Sequence, residues 1–113
     1  MSDTDFFAGL PAAITVCDRE GIILYMNQKS IETFARDGGA ALIGRSLYDC
    51  HPGASKEKLR ALIEGQKINT YTIEKDGVHK MIYHTPWYAE GEFRGLIEFS
   101  FEIPAEMPHI VRN

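Results

Sequence analysis

The chain has 113 residues, 44% hydrophobic and 25% charged, with a formal net charge of −4. That is room for one domain and one core, of ordinary globular composition. An acidic balance without a Lys/Arg run offers no bulk attraction for nucleic acid or anionic membrane, and no apolar run approaches the roughly 20 residues of a spanning helix.

The chain opens on Met1-Ser2-Asp3-Thr4-Asp5, with neither a basic n-region nor an apolar h-region, so no secretory leader is expected and the expected compartment is the cytoplasm. Residues 1–10 form an apolar lead, Phe6 to Leu10, closed by Pro11, with the length of a single helical turn. A domain is expected over 11–103. Ala12 to Cys17 reads as a first strand, Ile14 and Val16 on one face, Thr15 and Cys17 on the other. Glu20-Gly21 makes a tight turn, Ile22 to Tyr25 a second strand, and Asn27 a helix cap. The following helix carries Ile31, Phe34 and Ala35 as one stripe and stops at Asp37-Gly38-Gly39.

Ala40 to Tyr48 is short and irregular, with Leu42, Ile43 and Leu47 to bury, and His51-Pro52-Gly53 is a turn. Ser55 reads as the N-cap of a helix with Leu59, Leu62 and Ile63 on its inner stripe and Gly65 at its end. Three strands follow: Asn69 to Lys75, Val78 to Tyr88 and Phe93 to Ile103, joined at Asp76-Gly77 and Glu90-Gly91. The last alternates, with Ile97, Phe99, Phe101 and Ile103 on one face and Leu96, Glu98, Ser100 and Glu102 on the other. Residues 104–113 read as a loose tail. Two strands, short helices, then three strands predict an α+β domain. The two cysteines, Cys17 and Cys50, form no CxxC pair, and both are expected reduced.

These residues resemble the PAS domain family. Asp18, Gly21, Ile23, Tyr25 and Asn27 match its Asp-x-x-Gly-x-Ile-x-Tyr-x-Asn signature. Phe34, Gly44-Arg45-Ser46-Leu47, Asp76-Gly77, and Gly91-Glu92 with Gly95 match later segments in order. Asp49-Cys50-His51-Pro52, Ser55 and Gly95-Leu96-Ile97-Glu98 are similar to one subgroup of bacterial and archaeal PAS domains, some found beside hemerythrin-like metal-binding domains. The resemblance implies a five-stranded antiparallel sheet in order 2-1-5-4-3, with short helices on one face and a pocket between. It implies a sensor or a dimer joint in a signalling protein rather than an enzyme. No kinase, cyclase or DNA-binding domain is recognisable in the chain, so an output partner, a homodimer or a longer protein is expected.

The cofactor is left open. Light-sensing relatives carry a reactive cysteine after the Gly-Arg pair; Leu47 stands there, so a flavin adduct is not expected. Haem needs an axial side chain in a wide cavity. His51 and His84 are the candidates, and the alternative for His51 is a turn residue packed beside Pro52. His79 and His84 fall on opposite faces of a regular strand, and no compact zinc cluster is expected. For a small organic ligand, Glu98 and Ser100 point at the pocket if the face of Leu96, Glu98 and Ser100 is the inner one, with Lys80, His84, Tyr71 or Tyr83 available to pair the carboxylate. The alternative is that Glu98 bonds a helix N-terminus or a backbone group and holds the fold. The facing of the fourth strand is open, because a one-residue slip exchanges His84 and Ile82 for Tyr83 and Met81. A lesser alternative is a small isomerase-like enzyme, with Glu98 as base and Tyr83 or His84 as donor.

Overall fold

The structure, a computed structural model, describes residues 5–50 and 53–113. The β-branched and aromatic runs form β1 (Ala13–Asp18), β2 (Ile23–Met26), β3 (Asn69–Lys75), β4 (Val78–Ala89) and β5 (Glu92–Ile103). All pair antiparallel, in the spatial order β2-β1-β5-β4-β3. This is the α+β architecture and strand order that the sequence implied. The helical elements are α1 (Asp5–Ala8), α2 (Gln28–Thr33), α3 (Leu47–Cys50) and α4 (Ala54–Gly65), with two 3₁₀ turns at Ala35–Asp37 and Gly39–Leu42.

The hairpin between β1 and β2 is tied by Asp18, whose side chain accepts from the Glu20 and Ile22 amides at 2.9 and 3.0 Å. Gly21 sits at φ 84°, beside the Tyr48 ring. Asn27 caps α2 by accepting from the Ser30 amide. For α4 the cap differs from expectation. The helix starts at Ala54 with Gly53, at φ 60°, in the cap position and no side-chain bond. Ser55 is therefore the second residue of the helix, because the chain turns at a glycine that reaches a backbone region closed to serine.

Hydrogen bonds hold the segment after the 3₁₀ turns against β2. The Ile23 amide donates to Arg45 O at 2.9 Å, Gly44 to Ile23 O at 2.8 Å and Leu47 to Gly21 O at 2.8 Å. That strapping gives the Gly44-Arg45-Ser46-Leu47 motif its structural purpose. It covers the free edge of β2 and brings Leu47 inward.

Two apolar clusters follow. Cys17, Ile63 and Leu96 are buried together with Leu59 and Phe93 against them. Ile23, Met26 and Leu42 are buried with Ile31 and Phe34. Leu47 packs against both. Burying side chains of this size contributes about 2 kcal/mol each. The six-residue α2 is too short to be stable alone, so that packing holds it.

Candidate functional site

Between the two clusters lies a cavity of about 400 Å³. Its floor is the helix-facing side of the sheet, where Thr15, Cys17, Leu96, Glu98 and His84 reach it. Met26, Phe34 and Leu42 form one wall and Leu47 and Leu59 another, while Asp37 and Arg45 also line it. The lining is therefore mostly apolar with a few placed polar groups, the usual character of a small-molecule pocket.

Strand register sets the polar groups. Asn69 pairs with His84, His84 with Glu98 and Glu98 with Thr15, across β3, β4, β5 and β1. Directly paired residues share a face, so these four form one transverse polar row. His84 Nε2 lies 2.8 Å from Glu98 Oε2, and Asn69 Nδ2 lies 3.3 Å from His84 Nδ1. An amide nitrogen only donates, so Nδ1 accepts and Nε2–H donates to the carboxylate. At the far end Thr15 Oγ1 and Ser30 Oγ share a hydrogen bond of 2.5 Å. The pair is partly buried: the His84 side chain is 16% exposed and that of Glu98 31%.

The register also fixes the facing of β4. His84 and Ile82 lie on the cavity side, while Tyr83 and Met81 lie opposite, paired with Phe99 and Phe101. Tyr83 meets Phe99 edge-on at 6.4 Å. Of the candidate residues, His84 and Glu98 come together in the cavity and Tyr83 does not, so it cannot serve Glu98 as a donor. Tyr71 sits on the cavity side of β3, its ring 6.0 Å from that of His84. Partial burial pushes the Tyr71 phenol up, and the nearby Glu98 charge pushes it further the same way. Ser100 shares the face of Glu98 but pairs with Ala13 and Ile82, beyond the cavity lining. Lys80 lies further out, opposite Glu102. His51 falls outside the described residues.

The reading of single residues missed Thr15, Asn69 and the walls from Met26, Phe34 and Leu59. Those apolar residues look like core, and only tertiary placement leaves space between them. Burial pushes the Cys17 thiol up, against a smaller opposing pull from its hydrogen bond with the Leu96 backbone. Among the described residues, no group of three or more His, Cys, Asp and Glu side chains is placed to hold a metal ion. For haem, both His84 ring nitrogens are engaged. An iron would have to displace Glu98 or Asn69, so His84 as placed does not fit an axial ligand. No helix among the described residues is long and apolar enough to cross a membrane.

A family model described as the PAS fold matches residues 7–106, and the chain belongs to that family. PAS domains are in general sensory modules. No curated protein matches the sequence. Among solved structures, the chain is similar to the PAS domain of an HTR-like protein from Haloarcula marismortui, with 22% identity, 87% of this chain and 86% of that one covered, and a TM-score of 0.62. It is similar to the Aer2 receptor of Vibrio cholerae, a dual PAS-heme oxygen sensor, with 18% identity, coverage of 82% and 95%, and a TM-score of 0.60. It is also similar to VqmA, solved bound to DPO, with 20% identity, coverage of 89% and 56%, and a TM-score of 0.68. VqmA of Vibrio cholerae has also been solved as a dimer. The chain thus spans little more than half of the DPO-bound VqmA chain. At these identities the likeness is one of fold.

Proposed function

We propose that the chain is a PAS sensory module that takes a small organic molecule into the cavity between its sheet and helices and signals through a second copy or an output protein. One observation carries this reading. A cavity of about 400 Å³ is walled mostly by apolar side chains, yet its floor holds a carboxylate and an imidazole hydrogen-bonded to each other. A carboxylate facing an apolar space is costly unless the fold or a ligand compensates it. A residue serving only the core would more economically be apolar. The structurally similar VqmA, solved bound to DPO, lends support as a protein of this fold with a bound partner. The haem reading, motivated by His51 or His84 and by the Aer2 relative, loses His84 to its two engaged ring nitrogens.

Native mass spectrometry of freshly purified protein is the direct test. A bound mass of a few hundred daltons or less, lost on denaturation and reduced in Leu42→Trp, is the expected result. Leu42 is buried on the cavity wall, so an indole there fills the space. Retention of the same mass by a folded Leu42→Trp protein would place the ligand elsewhere.

A further inference from the structure

The cavity floor carries more hydrogen-bonding capacity than the protein uses. Glu98 Oε2 accepts from His84, and among the described residues Oε1 has no hydrogen-bond partner. His84 thus engages one Glu98 oxygen and is itself held by Asn69, leaving the second oxygen toward the cavity. Asp37, Glu98, Arg45 and His84 line the space, beside the buried Cys17 thiol. Two carboxylates stand against one guanidinium in the lining. Asp37 and Arg45 are both exposed, whereas Glu98 is partly buried on the sheet floor. Coulomb attraction and charge-assisted hydrogen bonds strengthen as water is excluded, so Glu98 outweighs the exposed Arg45 for a ligand that enters the cavity.

We propose, resting on the reading of this cavity as a ligand pocket, that it selects compact amphipathic molecules bearing a protonated or N–H nitrogen, which donate to the second oxygen of Glu98. The apolar body lies against Met26, Phe34 and Leu42, and the nitrogen points to the sheet. His84, held between Asn69 and Glu98, is a positioning residue that fixes the carboxylate. An anionic ligand would meet Glu98 with like charge.

A matched series separates class from pocket. Phenethylamine, phenylethyl alcohol and phenylacetate share one apolar body and differ in the head group. Each is titrated into nitrogen-labelled protein, and the backbone amides of Thr15, Leu96 and Glu98 are followed by NMR. The amine is expected to bind about tenfold or more tightly than phenylacetate, the scale of one charge-assisted hydrogen bond. Glu98→Gln should bring the amine down to the level of the alcohol. Arg45→Gln, at an exposed position, should strengthen the amine by removing a like charge. Equal binding of all three at these amides overturns the ligand class and leaves the pocket standing. Phenylacetate binding tightest, and losing its advantage in Arg45→Gln, assigns the site to anions and also overturns it. No shift at these amides with any of the three at millimolar concentration overturns the pocket reading, and the class with it.

Discussion

Asn27 uses its whole side chain. Its Oδ1 accepts from the Ile14 and Ser30 amides at 2.9 and 3.0 Å, and its Nδ2 donates to Phe7 O and Ala12 O at 2.9 and 2.7 Å. The residue is 1% exposed, so water cannot replace any of these bonds. One side chain thereby ties β1, α2 and α1 together. Asn27→Ala is expected to cost about 3–4 kcal/mol in urea unfolding, a few net hydrogen bonds plus the groups left unpaired. Asn27→Asp should fare no better, because its second oxygen would face two carbonyl oxygens.

Tyr71 offers a residue-level check on the cavity. Burial raises its phenol first and the Glu98 charge second. Glu98→Gln should therefore lower the Tyr71 ionisation part of the way, leaving it above the ordinary tyrosine range, as followed by the ring NMR shifts against pH. An unmoved Tyr71 would mean that the carboxylate is not close. A phenol raised in the fold contributes stability that is present below the unfolded tyrosine pKa of about 10 and is lost as pH rises through the folded value.

In the sheet, Gly95 of β5 leaves no room for a side chain against β1. A Cβ built there would lie 1.9 Å from Cys17 O and 2.7 Å from the Asp18 carbonyl carbon, both backbone atoms. The Cys17 oxygen also accepts from Trp87 Nε1 at 3.1 Å, across the bare glycine. Gly95→Ala must separate the strands and break that bond. A loss of about 3 kcal/mol or more is expected, with a shift in the emission of the chain's single tryptophan. Gly91→Ala, at φ 77° with open space around it, should cost only about 1 kcal/mol and leave the emission unchanged. Equal costs would mean that backbone conformation, and not the close approach, is what matters at Gly95.

The same elements show what could be read from the sequence. The period of two in Leu96 to Ile103 placed Glu98 opposite Phe99, because alternation is a local property of a strand. The turn residues and Asn27 were legible for the same reason. The facing of β4 was not, since it depends on pairing with β5 and on the irregularity at Trp87/Tyr88, which absorbs a residue of register. The cap of α4 was misplaced by two residues because Ser55 is a good cap by type, while the backbone turn belongs to Gly53. The cavity was expected only through the family resemblance, and its walls were not legible residue by residue. Met26, Phe34, Leu42 and Leu59 carry the pattern of ordinary core, and whether core residues meet or stand apart is a long-range outcome.

Beyond the cavity, the opposite side of the sheet bears on assembly. Met81, Tyr83, Ile97, Phe99 and Phe101 lie there, half-buried. Phe6 on α1 is 68% exposed, and Phe7 and Leu10 are also exposed. A row of large apolar residues in water marks an interaction surface more often than chance scatter does. A second copy laid over this side would remove them from water, given about 800 Å² per partner for a stable contact. Light scattering behind size exclusion should show a dimer at micromolar concentration. Phe6→Glu should weaken it without lowering the unfolding midpoint at monomer concentration, because an exposed ring contributes little within one chain. Glu98→Gln should leave the mass unchanged, since that carboxylate points to the other side of the sheet. A monomer in the unmodified protein would sink the pairing. A dimer broken by Glu98→Gln but not by Phe6→Glu would move the contact away from this surface and make ligand occupancy and assembly one event instead of two.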